Sequence, residues 1–191
     1  MRNVLKAETL ERKFPLLAVE HGCIVSKDAD LTVAFEVLLP EIYTVTGSEY
    51  EAIHSAWVKA VRVLPDYSVV CKQDWFMKET YRPDFGGDGQ SFLAGSYERH
   101  FNERPYLNHS CYLYLTKTTR ERSRRRSDFS TLCRGHILPR EITDKETASR
   151  FLEAVEQFER IMNDSGLMSL RRMDTGEITG SLECPGLVEK Y

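Results

Sequence analysis

"FPLLAVEHGCIVSKDADLTVAFEVLLPE", residues 14–41, holds three β-rich pieces separated by two turn signals, His21-Gly22 and Lys27-Asp28-Ala29-Asp30. Short apolar and β-branched runs broken by glycine and aspartate mark strands that fold back on their neighbours. In the third piece Leu31, Val33, Phe35, Val37 and Leu39 share one face, and Thr32, Ala34, Glu36 and Leu38 share the other. Side chains alternate across a strand, so this pattern predicts a sheet with one face against a core. Pro40 ends the strand, having no N–H for a ladder. The reading is an antiparallel β-meander that opens the chain.

Helix and strand signals then alternate. Ser48 and Glu51 have the spacing of a capping box, and Tyr50, Ile53, Trp57, Ala60, Val61 and Leu64 recur at helical spacing before Pro65. "YSVVCKQDWFMKETY", residues 67–81, predicts a strand on its aromatic and β-branched content. A second helix is expected from about Ser91 to Arg104, with Phe92, Leu93, Tyr97 and Phe101 turned inward and Pro105 beyond its end. "CYLYLTK", residues 111–117, reads as the next strand. Thr143 and Glu146 form another capping-box pair, opening a helix with Ala148, Phe151, Leu152, Val155, Phe158 and Met162 on one stripe and Gly166 at its end. After it, "LMSLRRM" suits a strand, and "DTGEITGSLECPGLVEKY" reads as a turn-rich tail with little to pack.

The expected class is therefore α+β: a mainly antiparallel sheet opened by a β-meander, with about three helices packed on one face. The expected division is a domain over residues 1–166 and a tail over 167–191. The aromatic set Trp57, Trp75, Phe76, Phe101, Tyr112 and Tyr114 lies at helix or strand spacing, so core packing is its first reading and a partner platform its second.

With 41% hydrophobic and 29% charged residues in 191, the chain falls in the range that folds as one domain rather than remaining disordered. Its formal net charge of −3 supplies no global attraction to nucleic acid or anionic lipid. "MRNVLKAETLERKF" carries charges every few residues and no apolar h-region, and no apolar run approaches the length of a membrane span. Five widely spaced cysteines, Cys23, Cys71, Cys111, Cys133 and Cys184, fit reduced thiols in a cytosolic compartment.

The glycine cluster "PDFGGDGQSF", residues 83–92, is tested as a phosphate cradle and fails. A P-loop needs G-x-x-x-x-G-K-[ST], and no Gly-Lys pair occurs anywhere in the sequence; the dinucleotide pattern started from Gly87 meets Phe92 where its third glycine belongs. A loop between strand and helix is the better reading. Lys117, Arg120, Arg122, Arg124, Arg125 and Arg126 form a basic run opposed only by Glu121, within a long connection. Such a run is either a contact for phosphate-bearing or acidic partners or a solvated loop, and no aromatic residue is interleaved to stack on bases. The histidines His21, His54, His100, His109 and His136 and the cysteines, including "HSC" at 109–111 and "CRGH" at 133–136, do not form the paired ligand spacings of a structural zinc site. No G-x-S-x-G elbow marks a nucleophile.

Several longer stretches taken together carry a resemblance: residues 1–41, "YEAIHSAWVKAVRVLPDYSVVCKQDWF" (50–76), "SYERHFNERPYLNHSCYLYLTKTT" (96–119) and "STLCRGHILP" (130–139). In this order they resemble the N-terminal region of the TraG-family ATPases of conjugative transposons, which are similar to the large motor ATPases of type IV secretion systems. The resemblance implies a non-catalytic N-terminal module that docks to other subunits of the transfer apparatus. ATP and magnesium are then expected only in a C-terminal RecA-like domain, toward which residues 167–191 would lead. It further implies a cytoplasmic location at the inner face of the cytoplasmic membrane, peripheral association through the assembly, and a homo-oligomer. No catalytic, nucleotide-binding or metal residue carries over onto these 191 positions. A nucleic-acid-binding module acting through residues 117–126 is the alternative, with DNA as the partner.

Overall fold

A computed structural model describes residues 15–27, 30–39, 45–81, 91–118, 145–166 and 168–189. Among them are six strands and four helices: β1 (Leu16–Glu20), β2 (Cys23–Ser26), β3 (Leu31–Leu38), α1 (Gly47–Val63), β4 (Ser68–Thr80), α2 (Phe92–Asn102), β5 (Pro105–Lys117), α3 (Lys145–Asp164), β6 (Ser169–Arg172) and α4 (Thr175–Thr179). The strands form one antiparallel sheet in the order β1-β2-β3-β5-β4, with β6 also paired to β3. The chain is an α+β protein whose antiparallel sheet opens with the meander read from residues 14–41.

His21 and Gly22, both at positive φ (52° and 69°), make the β1–β2 turn, the backbone that a two-residue hairpin of matching twist requires. Gly22 also sits against β6: a Cβ there would lie 3.2 Å from the Met173 carbonyl oxygen. β2 pairs with the first half of β3, through Leu31 to Val33, and β6 pairs with the second half, through Phe35 to Leu38. The two short strands thus lie end to end along one edge of β3.

The alternation in β3 divides the molecule into two cores. Val33, Phe35 and Val37 join Cys111, Leu113 and Leu115 of β5 on the face covered by α1 and α3, where Ala60, Phe151, Val155, Phe158 and Met162 are buried. Trp57 of α1 meets Phe158 of α3 edge to face, with ring centroids 6.0 Å apart. The stripe read from the sequence of α3 is the buried one at Phe151, Val155, Phe158 and Met162. On the opposite face Ala34, Ile24, Tyr112 and Tyr114 pack with Met173, Ile178 and Leu187.

That second core corrects the expectation of a tail with little to pack. Turn residues do not preclude burial. Asp174 and Glu177 cap α4 reciprocally, Ile178 and Leu187 are fully buried, and Gly180 lies so close to Gly186 that a Cβ would meet the Gly186 nitrogen at 2.1 Å. Arg171 ties the segment to the sheet, donating to Glu36 of β3 at 2.6 Å and to Glu177 of α4 at 2.7 Å. The helices are accordingly distributed differently from the expectation: α1 and α3 cover one face, α4 the other, and α2 stands apart.

The cap of α1 also lies two residues earlier than Ser48. Thr46 is the N-cap and Glu49 its partner, with both reciprocal hydrogen bonds formed. Thr46/Glu49 and Ser48/Glu51 have the same spacing, and the earlier box wins because starting there adds backbone hydrogen bonds, the first from Tyr50 N–H to the Thr46 carbonyl at 3.0 Å. The Thr143 cap lies outside the described residues.

Replacing Ile178 by Ala should lower unfolding free energy by about 2–5 kcal/mol, as for other fully buried large-to-small changes. Leu182→Ala, at an exposed position of the same segment, should stay within about 0.5 kcal/mol of the parent. Urea unfolding of both variants checks this; equal, small effects would mean that the segment contributes no core.

Candidate functional site

β5 is longer than β3. β3 pairs with it only from Cys111 to Lys117, whereas β4 follows it through every residue from Pro105 to Lys117. Residues 75–80 and 105–110 therefore project past the sheet as a two-stranded ribbon, roughly 20 Å long at the usual strand rise. A ribbon of two strands is marginal by itself. Side chains along this one brace it: Phe76 stacks on His109 at 4.6 Å, His109 Nε2 lies 2.9 Å from Asp74 Oδ1, and Tyr106 donates from its hydroxyl to Glu79 at 3.2 Å.

Helix α2 sits at the far end of the ribbon. Ser91 caps it, accepting from the Ala94 N–H, and Glu103 closes it. The sequence pattern places Phe92, Leu93, Tyr97 and Phe101 inward, and the structure corrects this: they are 90, 65, 61 and 52% exposed. The half-buried positions of α2 are instead Gly95, Glu98 and Asn102, spaced three and four apart, so the helix rests on its polar side. The Asn102 Oδ1 atom is enclosed without a hydrogen-bond partner among the described residues. The outward stripe continues onto the ribbon, because Tyr97 stacks over Phe101 at 6.5 Å, Phe101 meets Tyr81 at 6.3 Å, and Tyr81 meets Tyr106 at 6.5 Å. Beside this row a cleft of about 560 Å³ is lined by Tyr81, His100, Phe101, Arg104, Pro105 and Tyr106.

Full burial of a Leu or Phe side chain contributes about 1.5–3 kcal/mol, so a row of them left in water represents several kcal/mol of unrealised burial. Contiguous apolar surface of this kind marks a place where another protein or a membrane docks. The aromatic set read from the sequence splits accordingly: Tyr112 and Tyr114 are buried, Trp57 and Trp75 pack against the two cores, and Phe76 and Phe101 are exposed. The missed signal is the strand character of "PYLNH" at 105–109, hidden behind a proline that reads as a stop. Had β5 been extended to Pro105, α2 would have been placed at a ribbon tip, away from any core.

Of the basic run, Lys117 lies at the end of β5, where its ammonium donates to the Asp66 carbonyl and sits 5.6 Å from the centre of the Tyr67 ring. Arg120, Arg122, Arg124, Arg125 and Arg126 lie outside the described residues, as do "CRGH" and residues 83–90 of the glycine cluster. Among the described residues no three His, Cys, Asp or Glu side chains converge as a metal site would require. A second, apolar cavity of about 380 Å³ lies between Leu16, Ile24, Tyr114, Leu187 and Val188. It has little polar lining to orient a ligand beyond the hydroxyls of Thr32 and Tyr114, and Thr32 is already bonded to Thr116 at 2.9 Å.

Where the ribbon leaves the sheet, Lys72, Asp74, His109 and Cys111 share one face, with Asp74 directly opposite Cys111. The composition suggests a thiol nucleophile, but the electrostatics run the other way. Burial, then the Asp74 carboxylate, push the Cys111 thiol up, whereas a reactive cysteine needs its thiolate stabilised. Asp74 itself is held at about 2, below its ordinary 3.8, first by the hydrogen bond from Lys72 and next by that from His109. Its folded value lies below the unfolded one, so its contribution to stability is present above pH 3.8 and is lost as pH falls toward about 2.

Among known sequences, a family described as a domain of unknown function, B. Theta gene description (DUF3875), matches residues 3–55, little more than a quarter of the chain. The match ends inside α1 and does not reach the ribbon or α2. No curated protein matches.

Two expectations follow. Tyr97→Ser and Phe101→Ser should each leave thermal stability of the dilute chain almost unchanged, within about 0.5 kcal/mol, while Phe158→Ala costs about 3–5 kcal/mol; comparable losses at all three would mean that the α2 stripe is core. Asp74→Asn should flatten the fall of the urea midpoint between pH 3.8 and about 2; an unchanged pH profile would remove the Lys72–Asp74–His109 cluster from acid stability.

Proposed function

We propose that this chain is a non-catalytic docking and assembly module of a conjugation ATPase of the type IV secretion kind, one that powers DNA transfer. The observation that carries the docking half of the reading is the outward aromatic stripe of α2 at the end of a ribbon standing clear of the sheet. A module built to hold partners needs an apolar surface on a braced projection, and the order of the stretches resembling TraG-family N-terminal regions supports placing that module in a transfer apparatus. The sequence holds no P-loop, so ATP and magnesium chemistry is assigned to a RecA-like domain elsewhere in the same machine. The chain then acts in the cytoplasm, at the inner face of the cytoplasmic membrane, through contacts with the other transfer subunits.

Charge favours protein contact over nucleic-acid contact at this surface. Around the stripe, Glu79 and Glu103 balance Arg99 and Arg104, leaving no basic field for a phosphate backbone.

The test has two arms. In the native host, exchanging Tyr97 and Phe101 for serine in the protein that carries this segment should reduce DNA transfer at least tenfold without reducing the amount of protein. The purified chain should neither retain nor hydrolyse ATP. Normal transfer by the double variant would contradict the docking role of the arm, and ATP turnover that follows the chain through purification would contradict the non-catalytic assignment.

A further inference from the structure

We infer that the partner covering the α2 stripe is a second copy of this chain, so that two arms meet tip to tip about a two-fold axis. This rests on reading the arm as a docking surface, but not on which machine the chain serves. Two observations select this occupant.

The first is area. Phe92, Leu93, Tyr97 and Phe101, with Tyr81 and Tyr106 beside them, are each exposed by two-fifths or more. At about 100 Å² of exposed surface apiece they present on the order of 600 Å² of apolar patch, taking half of the usual aromatic burial. A standard-size interface needs about 800 Å² from each partner, polar rim included. The apolar patch covers about three-quarters of that need, the charged rim is left to supply the rest, and a two-fold contact presents the same patch from both partners.

The second is charge. The rim of the patch carries two acids, Glu79, which accepts from the Tyr106 hydroxyl, and Glu103, and two bases, Arg99 and Arg104. A neutral, mixed rim does not repel itself, as a two-fold contact between identical surfaces requires. A strongly acidic or basic partner would find no opposing field there. Position adds to the case. Among the described residues, the ribbon holds α2 clear of both cores.

Sedimentation velocity of the purified chain over a hundredfold range of concentration reads this directly. A concentration-dependent dimer is expected. Tyr97→Ser with Phe101→Ser should weaken its Kd at least tenfold, in line with the loss of central aromatic anchors. Tyr50→Ser, at an exposed aromatic of α1 away from the arm, should leave Kd within about twofold. Tyr97→Lys serves as an independent disruption, and melting of every variant confirms that it is folded. A chain that stays monomeric at its highest soluble concentration overturns the inference, as does a dimer indifferent to both Tyr97 variants. Loss of DNA transfer in the double variant alongside a strictly monomeric chain would overturn the second copy while leaving the docking role of the arm in place.

Discussion

The mismatch in length between β3 and β5, eight residues against thirteen, is the constraint from which the rest of the architecture follows. Where the two strands run together, Val33, Phe35, Val37, Cys111, Leu113 and Leu115 are buried on the face of α1 and α3, and Ala34, Tyr112 and Tyr114 on the face of the C-terminal segment. Where β3 stops, at Leu38, β5 keeps β4 as its ladder partner and the sheet narrows to a ribbon. A ribbon has no thickness in which to bury a helix. α2, which the chain places between β4 and β5, can only perch at its end.

This explains how one amphipathic pattern has two outcomes in the same protein. The stripe of α3 and the stripe of α2 look alike in sequence, both apolar at three- and four-residue spacing. α3 faces a broad sheet and buries Phe151, Val155, Phe158 and Met162. α2 faces a ribbon two strands wide and rests on Gly95, Glu98 and Asn102, leaving its apolar side to water. Periodicity reports that a helix has an apolar side and not what lies opposite that side. Residues local in sequence therefore made the meander, the α3 stripe, the Trp57, Ala60 and Leu64 part of the α1 stripe and the strand at 67–81 readable, because turns and alternation are written within a few positions. Tyr50 and Val61, read on the same side of α1, are exposed instead. The C-terminal core and the outward face of α2 were not readable, since each depends on partners far along the chain: Ile178 and Leu187 on Ala34 and Tyr114, and α2 on the point where β3 ends.

The candidate chemistry sorts in the same way. A cysteine, a histidine and an aspartate lie together on the β4–β5 pair, a grouping that spacing along one strand hints at through "HSC" but that Asp74, 35 residues from His109, completes only in the fold. Its electrostatics secure the root of the arm: Lys72 and His109 share the Asp74 carboxylate, and the Cys111 thiol is buried beneath. The cluster anchors the place where sheet becomes ribbon, and the apolar contacts that the ribbon carries lie beyond it. The family match at residues 3–55 covers the meander and the start of α1, the part of the chain that builds the platform and not the part that projects from it.

The central claim is that the apolar side of α2 faces water in the lone chain and is covered only by a partner. Hydroxyl-radical footprinting of the dilute chain, with oxidation read residue by residue, addresses it most directly. The account predicts heavy labelling of Tyr97 and Phe101 against almost none at Phe158, with the α2 labels falling as the chain is concentrated. Tyr97 and Phe101 as protected as Phe158 at high dilution would contradict it, and would place the stripe inside the fold.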